Sequence, residues 1–329
     1  MPEPILRVRD LSVQYRGKEQ TTYAVNGVSL DLYKGEVLAL VGESGSGKTT
    51  VALSIPKLLP GEAQITSGAV EFQGQQLFDL NDDQLRTVRG RQISMIFQDP
   101  VAGLNPVISV GDQVAEILTS HLEISKKDAK RRVPALLSAA GLADAERVAK
   151  AYPFQLSGGM CQRVMIAIAT ALDPELIIAD EPTSALDVTV QAQILAELDR
   201  LRRERGTSIL LITHNFGVVA QIADRVAVVY GGRIVEKGTP ETVMPKPLHP
   251  YTAALLATLP RLDALRGELP SIPGSPPEMT EPVEHCPFLP RCQKAMSRCR
   301  TEPAPPLEPD ASGERLVACY NPMWIADDG

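Results

Sequence analysis

The fourteen residues VLALVGESGSGKTT, Val37 to Thr50, decide how the rest of the chain is read. Five apolar residues predict a buried strand. The glycine-rich turn after them satisfies the pattern G-x-x-x-x-G-K-[ST] from Gly42 to Thr49. Glycines at those positions let backbone N–H groups wrap a phosphate, and the helix that follows presents its positive end to the same anion. Lys48 is then placed for the β- and γ-phosphates, and the Thr49 hydroxyl for Mg²⁺. With strand before and helix after, the segment reads as a nucleotide-phosphate loop rather than a chance glycine turn.

Working outward, short β-branched runs (EVLALVG, ELIIAD, SILLITH, RVAVVY) alternate with helical stretches, which predicts parallel strands covered by helices on both faces. Near the start, ILRVRDLSVQY and VNGVSLDLYKG alternate apolar with polar residues, the pattern of half-exposed antiparallel strands. From about residue 100 to 172 the period becomes helical. After about 240 proline becomes dense, which places a domain boundary there. The 329 residues leave room for more than one domain. A net charge of −7 argues against a dedicated nucleic-acid binder. The start, MPEPILRVRD, lacks a signal-peptide core, and no apolar run approaches a membrane span, so a cytosolic chain that meets membranes only through partners is expected.

Two further segments carry chemistry. LIIADEP ends an apolar strand at Asp180, a position for a Mg²⁺-binding carboxylate, with Glu181 next to it to orient or deprotonate a water. LSGGMCQRVMIAIATAL, residues 156 to 172, sets Ser157 as an N-cap before Gly158, Gly159 and an amphipathic helix, a second anion site at a helix start. One chain needs only one cradle for a γ-phosphate, so the second implies a site completed by another subunit.

With these motifs in order, the chain resembles the ATP-binding subunits of ABC transporters over about residues 5 to 240. The resemblance implies a P-loop NTPase α/β fold with a RecA-like core, an antiparallel β subdomain and a helical subdomain (about 100–172), within an ATP-binding domain of residues 1–240. It makes Gly42, Glu43, Ser44, Gly45, Ser46, Gly47, Lys48, Thr49 and Thr50 ATP contacts, together with Gln98, Ser157, Gly158, Gly159, Asp180 and Asp187. Thr49, Gln98 and Asp180 would hold Mg²⁺. Lys48, Gln98, Glu181 and His214 would be catalytic, and Tyr15 would stack on adenine, with Tyr23 a second candidate. Cys161 and Asn215 stand where the family commonly has a basic residue and Asp. A helix dipole at Cys161 can lower a thiol pKa, while a half-buried inert residue is the plainer reading.

LHPYTAALLATLP (248–260), the proline-rich stretch after it and QDPVAGLNPVISVGDQV resemble the oligopeptide/dipeptide importer ATPases. That branch implies a second, non-identical ATPase subunit, two permeases and a periplasmic or extracellular solute-binding protein, with this chain peripheral on the cytoplasmic face of the membrane. Peptide is the expected cargo, with nickel, glutathione or another small solute as alternatives. A non-transport ABC ATPase and a redox-sensing regulatory partner are the readings from other classes.

Four of the five cysteines (Cys286, Cys292, Cys299 and Cys319) lie in the extension 241–329, spaced C-x₅-C-x₆-C-x₁₉-C. The spacing lacks the paired C-x₂-C knuckles of common zinc fingers, and a reducing cytosol disfavours disulfides. Four thiolates suit Zn²⁺ or an iron–sulfur cluster. The resemblance implies a [4Fe–4S] cluster, with Zn²⁺ or free thiols as alternatives.

Overall fold

The computed structural model describes residues 3–184, 186–259 and 271–323. The chain divides into two compact units, one made of Met1–Tyr33, Val37–Phe78 and Thr213–Gly329, the other of Lys34–Glu36 and Asp79–Ile212. Residues after 240 thus group with the unit that carries the phosphate loop. Ala185, two residues before Asp187, and residues 260–270, where the proline-rich stretch begins, lie outside the described residues.

The first unit holds an antiparallel sheet in the spatial order Thr21–Tyr33, Pro4–Arg16, Ala63–Phe72, Gln75–Gln76. The expected alternation is present: Leu6, Val8, Leu11 and Val13 are at most 1% exposed. The alternation slips between Val8 and Leu11, where the register shifts and Asp10 takes a φ of 45°. A bulge there keeps both apolar sets on the buried face.

In the same unit the strand Val37–Val41 runs parallel to Arg225–Tyr230. Its five residues are fully buried, which requires an uninterrupted apolar run rather than an alternating one. Arg233–Gly238 returns antiparallel to Arg225–Tyr230. Two short pieces of the tail extend this ladder, Leu316–Val317 beside Arg233–Gly238 and Glu308–Pro309 outermost.

The second unit holds the parallel strands Ile93–Ile96, Leu176–Asp180 and Ser208–Thr213, paired in that order. Its helices include Val110–His121, Lys126–Ala139, Ala145–Lys150 and Gly158–Thr170, in the part of the chain where the sequence period turned helical. Ser109, Ser125 and Ser157 cap three of these through their hydroxyls. The long helix Val188–Arg205 starts at an Asp187 cap and stops at Gly206, whose φ of 68° suits glycine. Among the described residues no helix is long and apolar enough to cross a membrane.

Candidate nucleotide-binding site

The phosphate loop joins strand Val37–Val41 to helix Lys48–Ser54. Two of its glycines are required by close approach. A Cβ on Gly42 would lie 2.2 Å from the Val229 carbonyl oxygen. Gly47 has a φ of 99°, and a Cβ there would meet the Ala24 carbonyl oxygen at 2.3 Å. Lys48 is 5% exposed. Its ammonium donates to the carbonyls of Gly42 (2.9 Å) and Glu43 (2.8 Å) and to Ser46 Oγ (3.3 Å). The lysine is therefore folded into the loop, while Ser44, Gly45 and Thr49 are exposed.

Tyr15 is half-buried, and its hydroxyl lies 3.1 Å from Thr50 Oγ1 in the first turn of the same helix. Tyr23 instead donates its backbone N–H to the Met279 carbonyl in the tail (2.7 Å). His214 is exposed just beyond strand Ser208–Thr213. Asn215 after it accepts from the Gly217 N–H (2.8 Å) and starts helix Phe216–Ile222. Asparagine is among the best helix caps, which accounts for this departure without any loss of chemistry.

In the second unit Asp180 ends its strand at 2% exposure. Glu181 has a φ of 47°, a left-handed backbone that costs about 1 kcal/mol or more in a residue with a side chain. The turn is held by the Glu181 N–H on the Ile212 carbonyl (2.9 Å) and by Ser184 Oγ donating to the Glu181 carbonyl (3.1 Å). Its carboxylate accepts from Gln98 Nε2 at 3.4 Å. The structure thus brings Gln98, Glu181 and Ser184 together. Ser157 accepts from the Met160 N–H at 3.4 Å, and Gly158 is open, with nothing within 4 Å of an added Cβ. Gly159 faces Val190, one turn into the helix that Asp187 caps.

Cys161 agrees with the plainer, inert reading and is more buried than expected. It is fully buried, with Sγ 3.5 Å from the Pro153 carbonyl, and burial pushes its thiol pKa up. A raised pKa disfavours the reactive thiolate.

The tail carries contacts that sequence reasoning missed. Tyr251 Oη accepts the Glu43 N–H at 2.8 Å, and Arg291 forms a two-pronged ion pair with the Glu43 carboxylate. An arginine inside HCPFLPRC, amid apolar residues and cysteines, was the available signal. Phe288 packs edge-on against Tyr230 (5.2 Å) and tilted against Tyr251 (5.4 Å). Buried Glu236 accepts the backbone N–H groups of Leu248 and His249, and burial lowers the His249 pKa to about 3, which keeps that ring neutral.

All four tail cysteines line one small apolar cavity beneath His249 and Phe288. Burial pushes the thiols of Cys286 and Cys292 up, and that of Cys319 to about 11. Among the described residues no three His, Cys, Asp or Glu side chains are grouped so as to hold a metal ion. The four side chains face a common cavity.

Comparison with known proteins gives two family matches. Residues 25–184 match the ABC transporter family, and residues 235–299 match the oligopeptide/dipeptide transporter C-terminal region. The dipeptide transport ATP-binding protein DppD of Bacillus subtilis (strain 168) is 47% identical over 327 residues, 99% of this chain and 96% of that protein. The oligopeptide transport ATP-binding protein OppD of Salmonella typhimurium is 46% identical, covering 98% and 96% respectively. A solved dimer of the ATP-binding cassette MJ0796, bound to ADP and Pi, superposes with a TM-score of 0.65 at 31% identity, over 71% of this chain and 98% of that one.

Proposed function

Because this chain belongs to the ABC transporter family, among the dipeptide and oligopeptide transport ATP-binding proteins, we propose that it is the ATP-hydrolysing subunit of a peptide importer. The observation that carries this reading is the tail. Residues 235–299, behind the ATPase motifs, match the oligopeptide/dipeptide transporter C-terminal region. The proposed limits are 1–240 for the ATP-binding domain, its helical subdomain at about 100–172, and 241–329 for the extension.

The roles follow from side-chain chemistry. The loop Gly42 to Thr50 binds the phosphates through backbone N–H groups other than that of Glu43, which Tyr251 holds, and through the Lys48 ammonium, and Tyr15 is the residue proposed against adenine. Thr49, Gln98 and Asp180 would hold Mg²⁺, which neutralises charge developing on the phosphates. Glu181 takes the proton of the attacking water, oriented by Gln98, and His214 hydrogen-bonds the γ-phosphate. Ser157, Gly158, Gly159 and Asp187 face the nucleotide of a second ATPase subunit; that cassettes of this family pair is supported by the dimeric relative. Two permeases and, through them, a solute-binding protein complete the importer, with this chain peripheral on the cytoplasmic face.

The test is Glu181→Gln in the assembled transporter. Mg-ATP binding should persist while hydrolysis and labelled-dipeptide uptake fall by about 100-fold or more, the usual worth of a general base. Wild-type turnover would remove Glu181 from that role, and retained hydrolysis with no peptide uptake would point to another solute.

We also propose that Cys286, Cys292, Cys299 and Cys319 hold a [4Fe–4S] cluster. The shared cavity and an all-thiol donor set support it, since four thiolates suit a cubane. The cluster would staple a proline-rich tail and takes no part in hydrolysis. Anaerobically purified chain should contain about four iron and four sulfide. A single zinc per chain would replace the cluster by Zn²⁺, and neither metal would leave free thiols.

A further inference from the structure

Glu43, the second residue of the phosphate loop, is held at each of its polar groups. Its N–H donates to Tyr251 Oη (2.8 Å). Its carbonyl accepts from Lys48 Nζ (2.8 Å) and from the Ser46 N–H (3.3 Å). Its carboxylate accepts from Arg291 Nη1 (2.8 Å) and Nη2 (3.2 Å).

Arg291 is equally committed. Nε donates to the Pro273 carbonyl (2.8 Å), Nη1 also to Tyr230 Oη (3.1 Å) and Nη2 also to the Ile272 carbonyl (3.2 Å). A guanidinium has five N–H donors, and five contacts are made here. The residue is 9% exposed, and Phe288, whose carbonyl accepts the Arg291 N–H (3.0 Å), packs against both Tyr230 and Tyr251.

A carboxylate inside a phosphate loop is costly, because it repels the ligand the loop serves. Pairing with a buried guanidinium cancels that charge and fixes the loop residue that shares its carbonyl with Lys48. We propose that Arg291, with Tyr251, is a positioning residue for Mg-ATP: acting through Glu43, the C-terminal tail sets the geometry of the phosphate loop and hence its nucleotide affinity. This rests on the reading that the loop from Gly42 to Thr49 binds nucleotide, and the inference adds the tail to that site.

The experiment titrates the full-length chain with a fluorescent ATP analogue and Mg²⁺, with thermal melts confirming the fold. Glu43→Gln is the deciding variant, since removing a negative charge beside the phosphates would by Coulomb's law tighten binding. Positioning demands the opposite, a weakening of about tenfold, the order of one lost charge-assisted hydrogen bond. Arg291→Lys keeps the charge but not the fork and should weaken binding similarly, and the double variant should be no weaker than either single one. In the assembled transporter KM for ATP should rise in both while kcat stays within about twofold, as expected when ground-state binding alone is lost. Glu43→Gln binding as tightly as wild type, or additive effects of the two variants, would overturn the proposal. Lys48→Ala keeps the two readings apart: if it binds like wild type the nucleotide reading itself fails, whereas its loss alone leaves only the tail in question. Should Arg291→Lys not fold, Glu43→Gln still decides, because Arg291 keeps its carbonyl and Tyr230 contacts there.

Discussion

The phosphate loop and the LSGGM segment are both glycine-rich turns that open helices, yet they are finished differently. Around the loop, Lys48 is folded onto the carbonyls of Gly42 and Glu43, and Glu43 is tied to Tyr251 and Arg291. At LSGGM the Ser157 cap is a long 3.4 Å hydrogen bond, Ser157 and Gly158 are exposed, and a side chain added at Gly158 meets nothing within 4 Å. One turn is organised by its own chain. The other is left open at the surface, as its proposed role toward another subunit's nucleotide requires.

Gly158→Glu should break the comparison most sharply. A carboxylate in the first turn of a helix favours the fold, so the isolated chain should keep its stability and its Mg-ATP affinity. In the assembled transporter the same charge would face a partner's γ-phosphate, and like charges cost several kcal/mol, so hydrolysis should fall by about 100-fold or more. Loss of ATP binding by the folded isolated chain would end the idea that this segment serves the partner.

Lys48→Ala is the converse and is expected to act within the isolated chain. Removing an ammonium from the phosphates should weaken Mg-ATP binding by about 10- to 100-fold, from hydrogen bonds worth roughly 1.5–3 kcal/mol. Equilibrium titration of the purified chain checks it, and unchanged affinity would detach the lysine from the nucleotide.

The smallest effect is on stability. Ser157→Ala removes a long cap hydrogen bond and should cost about 0.5 kcal/mol, the low end for a cap, as read from denaturant melts. Hydrolysis in the assembled transporter should fall further than that loss explains. If both remained unchanged, Ser157 would be neither a useful cap nor a phosphate ligand.

These two segments also mark what the sequence made legible. The phosphate loop is local: its glycines, lysine and flanking strand are contiguous, so spacing alone defines it. The Glu43–Arg291 pair joins residues 248 positions apart, and no periodicity connects them. The inert reading of Cys161 was legible, but not the extent of its burial, which is complete. Asn215 looked like a departure from a pattern, and its function as a cap appears only with the helix it starts. The cysteine spacing named four donors, but not that they would share one cavity with His249 and Phe288.

The last stretch of described tail has a consequence for solubility. Arg233–Gly238 would be the rim of its ladder if Leu316–Val317 did not pair with it, through Glu236 to Val317 and Lys237 to Leu316. Outside that lies Glu308–Pro309, two residues long and including a proline, which has no N–H to offer a neighbour. The Asp310–Arg315 ion pair fastens the turn between the two pieces. A bare rim invites the strands of other molecules to add themselves, and a short, charged, proline-containing border discourages them. A chain shortened before Glu308 should therefore self-associate, visible as light scattering at concentrations where the intact chain stays clear.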